Sequence, residues 1–285
     1  MTQYYYLVTG LPDVALDDGA AVIRSADFME EMKSLVTAED AILLSAMALP
    51  VDNRNLIALL DNPDAPFVPG GNFEREELQV QILRRDNVPD YMQAFLEAHR
   101  DGKSLFEGCS PADQLNWLFY DEMTEHPNGF IREWFTFERD LRNVIVGINH
   151  RRGLVHLQER GGDPARSLAA LIIGRNEVAE MILRSGAPDF GLGAHLPWAE
   201  KLFAAARGNA ADFEKAVDTL RFDMLDDLTV LAGFGVESIL AAAIRIQLAE
   251  RWGNLLEDAG RANMTAAVSK LKSGFTIPDE FTRTR

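Results

Sequence analysis

Between Phe130 and Gly153 the apolar side chains Phe130, Trp134, Phe137, Leu141, Val144 and Ile148 recur at steps of three and four. That period predicts a helix of about six turns with one buried face. Thr136, Arg139, Asn143, Gly147 and His150 fall on the opposite face, and His150, Arg151 and Arg152 supply the cations that a helix C-terminus favours. Similar patterns run along the rest of the chain. Helices are predicted over 19–36, from Thr37 (with Asp40 three residues on) to a stop at Pro50, over 53–60 behind an Asp52 cap, over 73–85 and over 89–100. Ser110-Pro111 is a cap followed by a first-turn proline, starting a helix to about Glu125, and Asp163-Pro164 repeats that start for a helix to Ile173. Further helical patterns cover 177–184, 198–207, 210–222, 223–231, 237–256 and 262–271. Residues 4–8 fit either a short strand or the tight start of a helix, and the polar tail from Thr276 is expected to fray.

Period-two alternation is nearly absent after residue 10, so the chain reads as all-α, with roughly a dozen helices. Irregular stretches at 62–72, 101–110 and 185–197 suggest three helical subdomains, 1–105, 106–190 and 191–285. One short pattern occurs twice: Asp52-Asn53-Arg54-Asn55-Leu56-Ile57 and Asp140-Leu141-Arg142-Asn143-Val144-Ile145 share the form D-x-R-N-[L/V]-I. This is either an internal repeat or a coincidence of short strings.

Composition narrows the function. The 285 residues are 47% hydrophobic, ordinary for a globular protein, and the net charge of −16 repels phosphate backbones, so nucleic acid is not expected as a partner. Cys109 is the single cysteine, which excludes an intrachain disulfide and suits a reducing, cytoplasmic compartment. The N-terminus lacks the basic and apolar regions of a signal peptide. The nearest approach to a membrane span, 229–249, is interrupted by Glu237 and Arg245 and reads as a buried helix.

Candidate chemistry is sparse. The five histidines, His99, His126, His150, His156 and His195, form no H-E-x-x-H or E-x-x-H pair, and Cys109 has no thiol partner, so no metal set is expected. Gly233-Phe234-Gly235 has neither the lysine nor the preceding strand of a phosphate loop, and no catalytic set or cofactor site emerges. The candidate partner-binding residues are Arg139, Asn143, His150, Arg151 and Arg152. Asparagine is a poor helix former, so Asn143 at mid-helix either bonds a partner or neighbouring subdomain, or lies on a solvated face. The basic cluster 150–152 either docks an acidic partner or simply compensates the helix end.

The opening Tyr-Tyr-Tyr-Leu-Val-Thr-Gly-Leu-Pro (4–12), the run from Asp52 to Leu60 and the central stretch Glu138–Ile145 resemble a bacterial domain of unknown function encoded among V-type ATPase subunits. That family looks like a divergent relative of the C-type stalk subunit of V/A-type rotary ATPases (the d-type subunit in eukaryotes). The resemblance implies a funnel-shaped, all-helical body of three similar subdomains, each with a D-x-x-N-like helix. It implies a non-catalytic central-stalk subunit at the inner face of the cytoplasmic membrane, joining shaft subunits to the membrane rotor ring. A third motif copy is expected near 237–256, where Glu250 stands four residues before Asn254 instead of three. An all-helical adaptor or assembly protein unrelated to the ATPase is the competing expectation, and an all-α enzyme with a site around Arg139, Asn143 or His150 is a third.

Overall fold

The computed structural model describes residues 2–16, 23–153 and 164–274, with 164–167 and 256–274 given as helical backbone alone. The segment 154–163, including His156 and the Asp163 cap, lies outside the described residues, as do 17–22 and the tail beyond 274. Twelve α-helices and no strand occur among the described residues. They are α1 (Tyr5–Thr9), α2 (Ser25–Leu35), α3 (Ala38–Asp61), α4 (Arg75–Arg84), α5 (Asp90–Arg100) and α6 (Pro111–Met123). The second half contains α7 (Gly129–Arg151), α8 (Pro164–Leu171), α9 (Glu177–Arg184), α10 (Ala199–Ala205), α11 (Ala210–Thr229) and α12 (Val236–Gly274). Residues 5–9 are therefore a helix and not a strand.

The capping signals are local and hold. The Thr37 hydroxyl accepts the Asp40 N–H at 3.3 Å to start α3, and Ser110 accepts the Asp113 N–H at 3.2 Å to start α6. The predicted buried face of α7 is buried throughout, from Phe130 to Ile148. α7 packs against α3, α6, α8, α9 and α11, while α3 also packs against α2, α4 and α12. One continuous apolar cluster runs from Tyr4 to Ile246.

Three expectations are corrected. Pro50 does not stop a helix: α3 passes through it as one element of 24 residues. An interior proline costs about 3 kcal/mol through its missing N–H and its ring clash. Here both flanks are held, Leu44 and Ala46–Leu49 on one side and Asp52, Asn53, Asn55 and Leu56 on the other, all buried. Asp52 is consequently an interior residue of α3 and caps nothing. The stretch 229–249 is not one helix, because a turn around Gly233 separates α11 from α12. Third, Asn143 and Gly147 do not lie on a solvated face of α7; both are buried.

Among the described residues one helix, α3, is long and apolar enough to cross a membrane, and 56% of its most apolar window is buried inside the protein.

Candidate functional site: two acid–asparagine clamps

The two copies of the repeated motif build the same device. On α7 the Asn143 carboxamide donates to the Ile173 carbonyl at 2.7 Å and accepts the Ile173 N–H at 2.9 Å. On α3 the Asn55 carboxamide donates to the Val68 carbonyl at 2.8 Å and accepts the Val68 N–H at 2.9 Å. In each case a buried asparagine bonds both backbone polar groups of one loop residue.

The acid one turn earlier holds the next part of the same loop. Asp52 accepts the Asn72 N–H at 2.8 Å, the Phe73 N–H at 3.3 Å and the Asn72 side-chain amide at 2.7 Å. Asp140 accepts the Asn176 side-chain amide at 2.8 Å and the Arg139 Nε–H at 3.1 Å. Asn176 in turn caps α9 by accepting the Ala179 N–H at 3.1 Å. The caught segments share a pattern as well: Gly70-Gly71-Asn72 and Gly174-Arg175-Asn176 are both G-x-N, and both leading glycines have positive φ, +92° and +82°. Each loop then turns directly into a helix, α4 or α9. The repeat is thus real as structure, and it joins a helix motif to a loop motif lying 20 or 36 residues beyond the acid.

At the third position expected, on α12, the arrangement differs. The Glu250 carboxylate accepts the Ser25 N–H at 3.1 Å and also the Ser25 hydroxyl, so it holds the first residue of α2. Asn254, displaced by one position from the motif, is exposed. Glu250 thus reaches back to an earlier helix, not forward to a G-x-N loop, and Asn254 does not reproduce the asparagine half of a clamp.

Burial pushes the Asp52 carboxyl up to about 6, against the opposing pull of its Asn72 and Phe73 donors and of Lys33. Lys33 donates to the Asn72 side-chain oxygen at 2.8 Å, and burial lowers its own pKa. Gly71 packs so closely on Asp52 that an added Cβ would overlap the carboxylate.

A second polar network ties α7 to α11 and α12. Arg221 makes a two-pronged pair with Glu138, at 2.7 and 2.9 Å, and donates to Asp218 at 2.8 Å. The fully buried Asp218 also accepts the Trp252 indole N–H at 2.6 Å and an Arg251 N–H. Burial works against the charge on Arg221, but Glu138 and Asp218 outweigh it and raise its pKa.

The five predicted partner-binding residues are not gathered on one face. Arg139 is mostly buried beside Asp140 and lies against Gly174. Asn143 is fully buried in its clamp. Arg151 donates to the Ser185 carbonyl at 2.6 Å and to the Ala187 carbonyl, with its guanidinium 3.6 Å above the Phe190 ring. These three bond within the chain. His150 is half-buried and Arg152 is exposed at the end of α7.

Conventional chemistry finds little to work with among the described residues. No cluster of His, Cys, Asp or Glu there is arranged to hold a metal ion. The Cys109 thiol donates to the Ala170 carbonyl at 3.0 Å, and burial pushes its pKa up, opposite to what a nucleophile needs. A groove of about 470 Å³ runs between residues 11–16 and helices α11 and α12. Another of about 480 Å³ lies along α4 beside Asn72 and Asn87.

No curated protein matches the chain. The family model described as a protein of unknown function, DUF2764, matches residues 1–275, and the chain therefore belongs to that family.

Proposed function

We propose that the protein is a non-catalytic central-stalk subunit of a bacterial V/A-type ATPase, coupling shaft subunits to the membrane rotor ring. On this reading it is peripheral to the inner face of the cytoplasmic membrane, and its body comprises three similar helical subdomains in a funnel-like arrangement, at 1–105, 106–190 and 191–285. The observation that carries the reading is the pair of clamps. Asp52–Asn55 and Asp140–Asn143 are the motifs on which the resemblance to the funnel-shaped stalk subunit rests, and they perform the same local task at two places. Repeated, doubly tied helix–loop units suit a part that transmits torque, because each loop is fixed to its helix at two points. In this role Arg139, Asn143 and Arg151 preserve the shape of the body, while His150 and Arg152 are the members of the predicted set left to meet a partner.

The test is purification of the tagged protein from its native membranes, followed by mass spectrometry. Shaft and ring subunits at near-equal amounts are the expected result. Their absence, from membranes whose ATPase is intact, would remove the stalk reading and leave an adaptor or assembly protein.

A further inference from the structure

Large apolar side chains on α1 and on the α11–α12 turn are exposed. Tyr6 is 94% exposed, Leu231 95%, Val230 73% and Tyr5 56%. The first of these elements, α1, is fastened to the α11–α12 turn. The Tyr4 N–H donates to the Phe234 carbonyl at 2.7 Å, and the Tyr5 and Phe234 rings lie 4.6 Å apart. The Tyr4 hydroxyl also donates to Asp40, which brings the start of α3 to the same place. Exposed large apolar side chains on two elements fastened together in this way are a feature of protein interaction surfaces.

Charge selects what covers it. Residues 2–10, 37–40 and 226–237, the stretches that these contacts join, contain no lysine or arginine. They do contain Glu39, Asp40, Asp226, Asp227 and Glu237. Asp226 is paired with Arg245 and Asp40 accepts the Tyr4 hydroxyl, whereas Glu39 and Asp227 are exposed. An anionic bilayer would be repelled here, and a two-fold dimer through this surface would set acid against acid. A partner with an apolar stripe edged by cations would satisfy both features.

We propose that the end formed by α1 and the α11–α12 turn is a docking site for another protein presenting an apolar helix face flanked by lysine or arginine. Tyr6 and Leu231 are its anchors, and the surrounding acids orient the partner. The assignment stands apart from the rotary reading, since it rests on exposure and charge alone.

The test uses the full chain and a dye-labelled amphipathic peptide of about five helical turns with a leucine face and lysine flanks, its binding followed by fluorescence anisotropy. A counterpart with glutamate flanks and vesicles containing phosphatidylserine are the alternative probes. The lysine peptide is expected to bind, with affinity falling as salt is raised. Tyr6→Ser with Leu231→Ser should weaken it at least tenfold, while Leu83→Ser, at an apolar position on α4 that is 74% exposed, should leave it unchanged. Leu231→Ser alone, at a side chain with almost no packing to lose, gives the same answer if the double variant is poorly folded. Equal binding of the glutamate peptide, equal loss in Leu83→Ser, tighter binding to the vesicles, or wild-type dimerisation abolished by Leu231→Ser would each overturn the proposal.

Discussion

Asn143 and Ile173, 30 residues apart, are joined by two hydrogen bonds: one carboxamide takes both the N–H and the carbonyl of one residue's backbone, in a place without solvent access. Replacing Asn143 by alanine strands two buried backbone groups at once, each costing about 1–3 kcal/mol. Asn143→Ala is therefore expected to lower the unfolding free energy by about 2–6 kcal/mol in urea titrations. Asn55→Ala should cost a similar amount by the same route, and the two losses should add, because the clamps share no partner. A change below about 0.5 kcal/mol, the usual size for a surface substitution, would show that the clamps are not structural.

Glycine is required in the captured loops for two different reasons. Gly70 and Gly174 have positive φ, so alanine at either is expected to cost more than about 1 kcal/mol. At Gly71 the obstacle is contact: a Cβ there displaces the Asp52 carboxylate and with it the Asn72 bonds. Gly186→Ala, where an added Cβ meets nothing within 4 Å, is the control and should leave the melting temperature unchanged.

Asp52 makes stability depend on pH in an uncommon direction for a carboxylate. Its folded value of about 6 lies above the ordinary value of 3.8, so the folded chain holds this proton more tightly than the unfolded one. The contribution is present below about pH 4 and is lost as pH rises through 6, amounting to at most about 3 kcal/mol. Asp52→Asn removes this dependence. The stability of wild type relative to Asp52→Asn should therefore fall between pH 4 and pH 7, as measured by parallel urea unfolding. A constant difference would mean that Asp52 titrates as it does in the unfolded chain.

Removing Arg221 leaves the buried Asp218 and the half-buried Glu138 as anions, with Arg251 as the remaining cation of the network. Arg221→Met is expected to cost about 3–5 kcal/mol. The triple change of Arg221, Glu138 and Asp218 to apolar residues of similar volume should recover most of that loss. A single-substitution cost of under about 1 kcal/mol, the range of exposed pairs, would assign the network to the solvated surface.

What could be read from the sequence was whatever repeats at short range. The buried stripe of α7 and the caps at Thr37 and Ser110 follow from spacing and local hydrogen bonding, and the structure contains them. The passage of α3 through Pro50 was not legible, because it depends on burial of both flanks by other helices. Asn143 was recognisable as a polar residue in need of a bond, but its partner lies on a loop with no periodic signal. One clue was available: G-x-N at 70–72 and 174–176 accompanies D-x-R-N in both places, and the two motifs together identify the unit. The outlying apolar anchors Tyr6 and Leu231 carry no sequence signature either, since only the fold decides which aromatic or leucine stays uncovered.

The contact between Glu250 and Ser25 spans 225 positions. During synthesis α2 emerges from the ribosome while the helix that will hold its first turn has yet to be made. At about 5–20 residues per second, the wait is on the order of 10–45 seconds. The amino-terminal helices therefore spend that time with one flank open, until α12 emerges to hold the first turn of α2.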